Sequence, residues 1–377
     1  MARMLEPSRA PEAVETEIDY LLPTSKINRR FWAPGKEFNS GEYKPYPVTI
    51  RNARLSDEPF ALDTHGFCVS RQPSAIRDFR DQEELKRDYP GEVIAIAKRL
   101  TGCDLVVPMG GQLRSPVISG PGIQPPAAEA HVDFNTATAH RIAGKIYEKA
   151  VPDGPGFDRF IAFSLWRTFS PPPQDWPLAL CDFRSVGDED AVANVKVDVD
   201  EIPTGDALYA PIEGEDQMAA ATIFHHNPAH RWWYFPDMTV DEVIFIKFHD
   251  SDHKRAWRAP HTAFHDTSRP DAVVRESYEF RAIAYFNRGA RCVGAARVKA
   301  LLWFPFFLPQ RRLGPRCDGR GNDAQRTSPA FPNWAPAFAG EVKKEIGRFG
   351  LVQCVVAASL ASRSALGASR GANRMSR

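Results

Sequence analysis

Arg275-Glu-Ser-Tyr-Glu-Phe-Arg-Ala-Ile-Ala-Tyr-Phe286 reads as a β-strand, because aromatic and aliphatic residues crowd it from Tyr278 onward and neither Pro nor Gly interrupts it. Residues two apart on an extended chain face the same side, so Arg275 and Ser277 share a face. Working outward, similar runs occur at Glu242-Val-Ile-Phe-Ile-Lys-Phe248, Trp232-Trp-Tyr-Phe-Pro236, Leu178-Ala-Leu-Cys-Asp-Phe183, Phe160-Ile-Ala-Phe-Ser-Leu-Trp166, His131-Val-Asp-Phe134 and Asp104-Leu-Val-Val-Pro108. Nearer the start, residues 14–22 and 47–51 read as strands of a sheet edge, separated by a Pro/Gly-rich stretch at 33–46. Two helices are expected. Residues 78–101 carry Leu85, Tyr89, Val93 and Ile96 among many charges, with Pro90-Gly91 expected to split them into two pieces, and residues 136–150 contain no Pro and one Gly. Gly110-Gly111 and Gly120-Pro-Gly122 read as turn formers. Many short strands, few helices and 32 prolines predict a mainly β fold of jelly-roll type with peripheral helices.

The 377 residues are 43% hydrophobic and 25% charged, the composition of an ordinary globular protein. The net charge of +1 hides a division: residues 290–377 hold 15 Lys+Arg against 4 Asp+Glu, and all ten histidines lie at or before His265. Residues 1–14 are read as a mobile tail, 15–289 as the catalytic domain, and 290–377 as a basic Ala/Arg/Pro-rich extension, either disordered or an artefact of the gene model. The arginines of that extension are scattered and form no recognition element for nucleic acid. Cysteines at 68, 103, 181, 292, 317 and 354 show no Cys-x-x-Cys pair, so neither a zinc ribbon nor a disulfide scaffold is indicated. The first residues lack the apolar stretch of a secretory signal, and no run of about 18 apolar residues could span a membrane, so a cytoplasmic protein is expected. No serine-nucleophile elbow, phosphate loop or dinucleotide fingerprint is present.

The chemistry centres on His131-Val132-Asp133. On a strand, His131 and Asp133 would aim their donors at one point, and two imidazoles with one carboxylate can hold Fe(II) on one face while leaving the opposite positions open. His225, His226, His230, His249, His253, His261 and His265 are the downstream candidates for the third ligand. His261 and His265 would stand roughly 13 Å apart if extended, so only one of them could serve. His249-Asp-Ser-Asp-His253 has helical metal-ligand spacing but reads as a solvated turn. Arg275 with Ser277 makes a seat for the distal carboxylate of a 2-oxo acid, since guanidinium binds carboxylate through two parallel hydrogen bonds. Arg167 is a further candidate for contact with co-substrate or substrate. Asp182 could support a ligand or simply form a turn, Glu242 reads as half of a structural ion pair, and Trp232 to Phe235 read as core.

Beyond these residues, ordered blocks resemble the CmcJ/NvfI-type family of fungal hydroxylase/desaturase-like non-haem iron oxygenases, which includes a fungal gibberellin desaturase. They are Leu62-Asp-Thr-His-Gly-Phe67, Tyr89-Pro-Gly-Glu92, His131-Val-Asp133, Leu165-Trp-Arg167, Trp176-Pro-Leu-Ala-Leu-Cys-Asp182, Arg231-Trp-Trp-Tyr-Phe-Pro-Asp-Met238, Asp241-Glu-Val243, Pro260-His-Thr-Ala-Phe264 and Arg275-Glu-Ser-Tyr-Glu-Phe-Arg281. The resemblance implies a double-stranded β-helix of cupin type, with Fe(II) held by His131, Asp133 and His261 and 2-oxoglutarate held by Arg275 and Ser277. It also implies oxidation of a small secondary metabolite by O2. Many family members carry Gln-Ser where this chain has Phe134-Asn135, so the pocket wall beside the metal is expected to differ. Two other classes compete: a non-catalytic cupin-like accessory protein of a biosynthetic pathway, and a zinc hydrolase using the same ligands.

Overall fold

The computed structural model describes residues 9–34, 36–118 and 123–287. Its strands are β1 (Ala13–Leu21), β2 (Arg29–Ala33), β3 (Lys36–Asn39), β4 (Tyr43–Asn52), β5 (Phe67–Arg71), β6 (Leu105–Arg114), β7 (Ile123–Gln124), β8 (His131–Val132), β9 (Arg159–Thr168), β10 (Leu178–Cys181), β11 (Ala191–Asp198), β12 (Ala220–Phe224), β13 (Trp232–Tyr234), β14 (Glu242–Asp250), β15 (His261–Ala263) and β16 (Ser277–Phe286). The helices are α1 (Leu62–His65), α2 (Gln82–Thr101) and α3 (Thr136–Ala150). One sheet runs β1-β4-β13-β10-β15-β8-β12-β11-β2-β3 and the other β5-β14-β9-β16-β6-β7. This is a double-stranded β-helix, a jelly roll.

Parity along the strands builds the core. In β9, Phe160, Ala162 and Trp166 face the other sheet and pack with Val132, Leu178 and Leu180, whereas Ile161, Phe163 and Leu165 face outward. That outer face is covered by α2 through Leu85, Tyr89, Val93, Ile96 and Ala97. Asp81 caps the helix by accepting from the N–H groups of Glu83 and Glu84, and Gly102, at φ +70°, ends it. Pro90 lies inside α2 and does not divide it. An interior proline costs about 3 kcal/mol. Each large apolar side chain buried on either side of it contributes about 1.5–3 kcal/mol, so the packed stripe outweighs the lost backbone bond.

Three further local expectations are corrected. The stretch 33–46 is not a featureless loop: it holds β3 and the start of β4, and β2 pairs with β3 as a hairpin. Residues 13 and 14 belong to a strand, because Val14, Ile18 and Tyr20 alternate into the core and β1 pairs with β4 from Ala13. Gly110-Gly111 is no turn but the middle of β6, where Gly110, at φ +123°, sits in a bulge opposite Arg281 and Ala282. A Cβ on Gly111 would come within 2.1 Å of the Tyr278 hydroxyl oxygen. Gly120-Pro-Gly122 and the basic segment 290–377 lie outside the described residues. Among the described residues no helix is long and apolar enough to cross a membrane.

Candidate metal centre and co-substrate seat

His131 and His261 are register partners on the adjacent strands β8 and β15, near the middle of the larger sheet. β8 ends at Val132, so Asp133 stands just beyond the strand, yet its carboxylate reaches the same point. Asp133 Oδ1 is 3.6 Å from His131 Nε2 and 3.7 Å from His261 Nε2. Donors each about 2.1 Å from a shared ion stand roughly 3–4 Å apart, so the set has the right size. His131 Nδ1 lies 2.8 Å from the Glu129 carbonyl and His261 Nδ1 lies 3.0 Å from the Ala259 carbonyl. A carbonyl only accepts, so both Nδ1 atoms carry the proton and both Nε2 lone pairs face the common point. Burial, joined by the neighbouring His131, pushes His261 down to about 4, which keeps it in the neutral, ligating form.

The carboxylate is held in turn. Arg281 Nε donates to Asp133 Oδ2 at 2.6 Å, and Arg281 Nη2 meets Glu279 Oε1 at 2.5 Å. Arg114 Nε reaches the other oxygen of Glu279 at 3.2 Å. Burial alone would raise the Asp133 carboxyl, but Arg281 and the two imidazoles overcome it and hold the group at about 2. With Oδ2 engaged by Arg281, Oδ1 is the oxygen left to face the histidines.

A narrow slot beside the imidazoles, 20 Å³ in volume, is lined by Ser164, Trp166, Thr262 and Arg275 among others. Arg275 is 1% exposed and donates through Nη1 to Ser277 Oγ at 2.9 Å. Its Nε and Nη2 find no acceptor among the described residues. Burial and the nearby Arg114 pull it down to about 9, which leaves it charged at neutral pH. Unmet buried donors on a guanidinium are costly, and a carboxylate is the group that satisfies two of them at once. A larger cavity of 330 Å³ adjoins Asp133 and shares Arg114, Ala127 and His131 with the slot.

Arg167, the other candidate for the co-substrate, is not brought to this site. It falls on the outer parity of β9, buried under α2, where Nε donates to Tyr89 Oη at 3.3 Å and Nη1 donates to the Val240 carbonyl. His265 is exposed and stacks on Trp176 at 5.2 Å. His225 Nδ1 donates to the Leu21 carbonyl, His226 stacks on Tyr46, and His230 bridges Tyr20 and Asp190. His249 is not in a solvated turn but buried at the end of β14, among His140, Phe160 and Trp257. Asp182 accepts from the Arg184 N–H in a 3-10 turn and pairs with Arg184 and Arg231. Glu242 makes a two-pronged ion pair with Arg54. Phe134 lines the larger cavity, and Asn135 caps α3 by accepting from the Thr138 N–H.

Arg281, Glu279 and Arg114 escaped the reading of the sequence. The signal was present: continuing the step of two from Arg275 and Ser277 reaches Glu279 and Arg281, an unbroken polar face opposite Tyr278, Phe280 and Ala282.

The chain is 28% identical over 289 residues to the Fe(II)/2-oxoglutarate-dependent dioxygenase nvfI of Aspergillus novofumigatus, covering 73% of this chain and 97% of that protein. It is likewise 28% identical over 264 residues to the hydroxylase/desaturase efuI of Hormonema carpetanum, covering 65% and 85%. The solved structure of the iron and alpha-ketoglutarate-dependent endoperoxidase NvfI superimposes with a TM-score of 0.60 at 25% identity, over 74% of this chain and 99% of that one. A family model described as "Oxidoreductase/YMDC permease-like domain" matches residues 18–285, a span that contains every residue of the centre, and the chain belongs to that family.

Proposed function

We propose that the protein is a non-haem Fe(II), 2-oxoglutarate-dependent oxygenase of the hydroxylase/desaturase type, acting with O2 on a small molecule of secondary metabolism. The observation that carries the reading is the pairing of three convergent donors, His131, Asp133 and His261, with a buried arginine that lines the adjoining slot and has two nitrogens without an acceptor among the described residues. Fe(II) with 2-oxoglutarate, when bound, couples O2 activation to decarboxylation, releasing succinate and CO2 and supplying the oxidising power. The side chains hold and orient. His131, Asp133 and His261 would occupy one triangular face of the ion and leave the rest open. Arg275 and Ser277 would grip the distal carboxylate at the slot that Arg275 lines. Phe134 lines the adjacent cavity together with Asp133.

A non-catalytic accessory role is disfavoured by the complete donor set. A zinc hydrolase would use the same three ligands but gives the orphaned guanidinium nothing to bind. Every residue invoked lies within 15–289, the span assigned to the catalytic domain. Free thiols at Cys68, Cys103 and Cys181 support a cytoplasmic, reducing setting.

Adding Fe(II) and 2-oxoglutarate to the protein without oxygen is expected to give the visible charge-transfer band of the chelate, and admitting O2 should release succinate. A protein that gives neither the band nor succinate above background would overturn the assignment. Arg281 supplies a second check. Arg281→Met is expected to weaken Fe(II) binding roughly 10–100-fold, the usual effect of losing the partner that orients a ligand. Arg281→Lys should recover part of it. Anaerobic metal titration measures both, and unchanged affinity in the Met variant would exclude the orienting role.

A further inference from the structure

The 330 Å³ cavity beside Asp133 has two unlike ends. Beside His131 and Asp133 it is lined by Arg114 and Arg281, and Phe134, Ile142 and the alanines 219–221 give it an apolar stretch of wall. The far end is cationic. Arg30 and Trp32 project from one face of β2, and Lys196 projects from β11, which runs parallel to β2 with Lys196 opposite Arg30. The Trp32 indole lies close to both cations, 5.7 Å from Arg30 Cζ and 5.6 Å from Lys196 Nζ.

Both cations have partners: Arg30 pairs with Glu37 and, at 3.5 Å, with Glu129, and Lys196 pairs with Asp198 at 2.9 Å. Among the described residues lining the cavity, however, none of these acids is found, so each pair presents its cation to the cavity. The side chains of the Arg30–Glu37 pair are 30% and 33% exposed, and those of the Lys196–Asp198 pair 22% and 26%. These side chains are part-buried, so the about 0–1 kcal/mol of a surface pair understates their attraction, and an incoming anion would share each cation with its partner. The two inner arginines differ, because Arg281 is committed to Asp133 and Glu279, and Arg114 to Glu279.

Given the oxygenase reading, on which this step rests, we infer that the substrate is an apolar skeleton bearing a carboxylate, and that Arg30 and Lys196 hold the carboxylate while the skeleton runs past Phe134. β8 is separated from β11 by one strand and from β2 by two. At about 4.8 Å per strand, the carbon to be oxidised lies roughly 10–14 Å from the acid group.

Decanoate, decan-1-ol and decylammonium are suitable probes of one length and three charges. They are titrated calorimetrically, at low salt, into the full-length protein loaded with Fe(II) and 2-oxoglutarate under anaerobic conditions. Decanoate is expected to bind at least tenfold more tightly than decan-1-ol, with decylammonium weakest. Lys196→Met and Arg30→Gln should each shrink the acid-over-alcohol ratio to threefold or less, and Lys196→Glu should shift the preference toward decylammonium. Equal binding of the three probes, no saturable binding of decanoate, or a ratio that survives both neutral variants would overturn the inference. The charge-transfer band of the same samples separates the two readings. Acid preference without the band sinks the oxygenase and keeps the anion seat, whereas the band without acid preference does the reverse.

Discussion

Asp133→Ala is expected to abolish succinate formation and to weaken Fe(II) binding at least a hundredfold, and His261→Ala should do the same, while His265→Ala should leave both unchanged. Removing Asp133 takes away one of three donors and the only negative charge among them, so the ion would face two neutral imidazoles. The change also strips Arg281 of one of its two buried carboxylates, and breaking a buried pair costs about 3–5 kcal/mol. Asp133→Asn, which keeps the shape and a carbonyl oxygen toward Arg281, is therefore the companion variant. Anaerobic titration with Fe(II), thermal unfolding and succinate quantification together separate loss of the ligand from loss of the fold. Turnover within twofold of the parent protein in the Asn variant, with the fold intact, would remove Asp133 from the centre. Loss of activity in His265→Ala with retention in His261→Ala would transfer the ligand role to His265.

Arg275→Met carries the second large effect. Truncating one partner of a buried, hydrogen-bonded charge pair costs about 2–5 kcal/mol, so the KM for 2-oxoglutarate should rise from roughly 30-fold to a few thousandfold. Lysine should rescue it poorly, since a point charge cannot reproduce the guanidinium fork. Fe(II) affinity measured without 2-oxoglutarate should stay put, which distinguishes a seat for the co-substrate from a prop for the metal. Stability supplies an independent sign. Nε and Nη2 of Arg275 have no acceptor among the described residues, so replacing the guanidinium with a methionine side chain should not lower the melting temperature of the ligand-free protein. An unchanged KM would sink the assignment, and a collapsed fold would point to a structural role instead.

Much of this was legible in the chain, and the failures have identifiable causes. Long strands such as β9, β14 and β16 announce themselves because both of their faces are buried and aromatic or aliphatic residues dominate them. The same property hid the direction of Arg167. On a strand buried on both sides, polarity does not distinguish the face toward the other sheet from the face toward α2, and only the pairing of β9 with its neighbours fixes the parity. His261 and His265 could not be separated by spacing, because their distance from Arg275 along the chain is irrelevant to which of them meets His131. That choice is made by the pairing of β15 with β8 and β10, a long-range fact. The β2–β3 hairpin was missed because its strands are five and four residues long and flanked by Pro and Gly. Arg281 was missed for a different reason: an arginine in an apolar strand is easily taken for a surface residue until its own parity is followed.

The facing of His131 and His261 across a single bridged pair makes the centre all-or-none. Side chains alternate along a strand, so a slip of β15 by one residue would turn the His261 imidazole to the opposite face and leave no partial site behind. Strands of two and three residues have little grip of their own. A divalent ion that needs both imidazoles favours the one alignment that supplies them, by RT ln(1 + [L]/Kd), about 2.7 kcal/mol at a hundredfold excess over its dissociation constant. Metal occupancy thus reports on, and reinforces, the joining of two chain segments that are distant in sequence, and the ion acts as a proofreader of assembly as well as an instrument of chemistry.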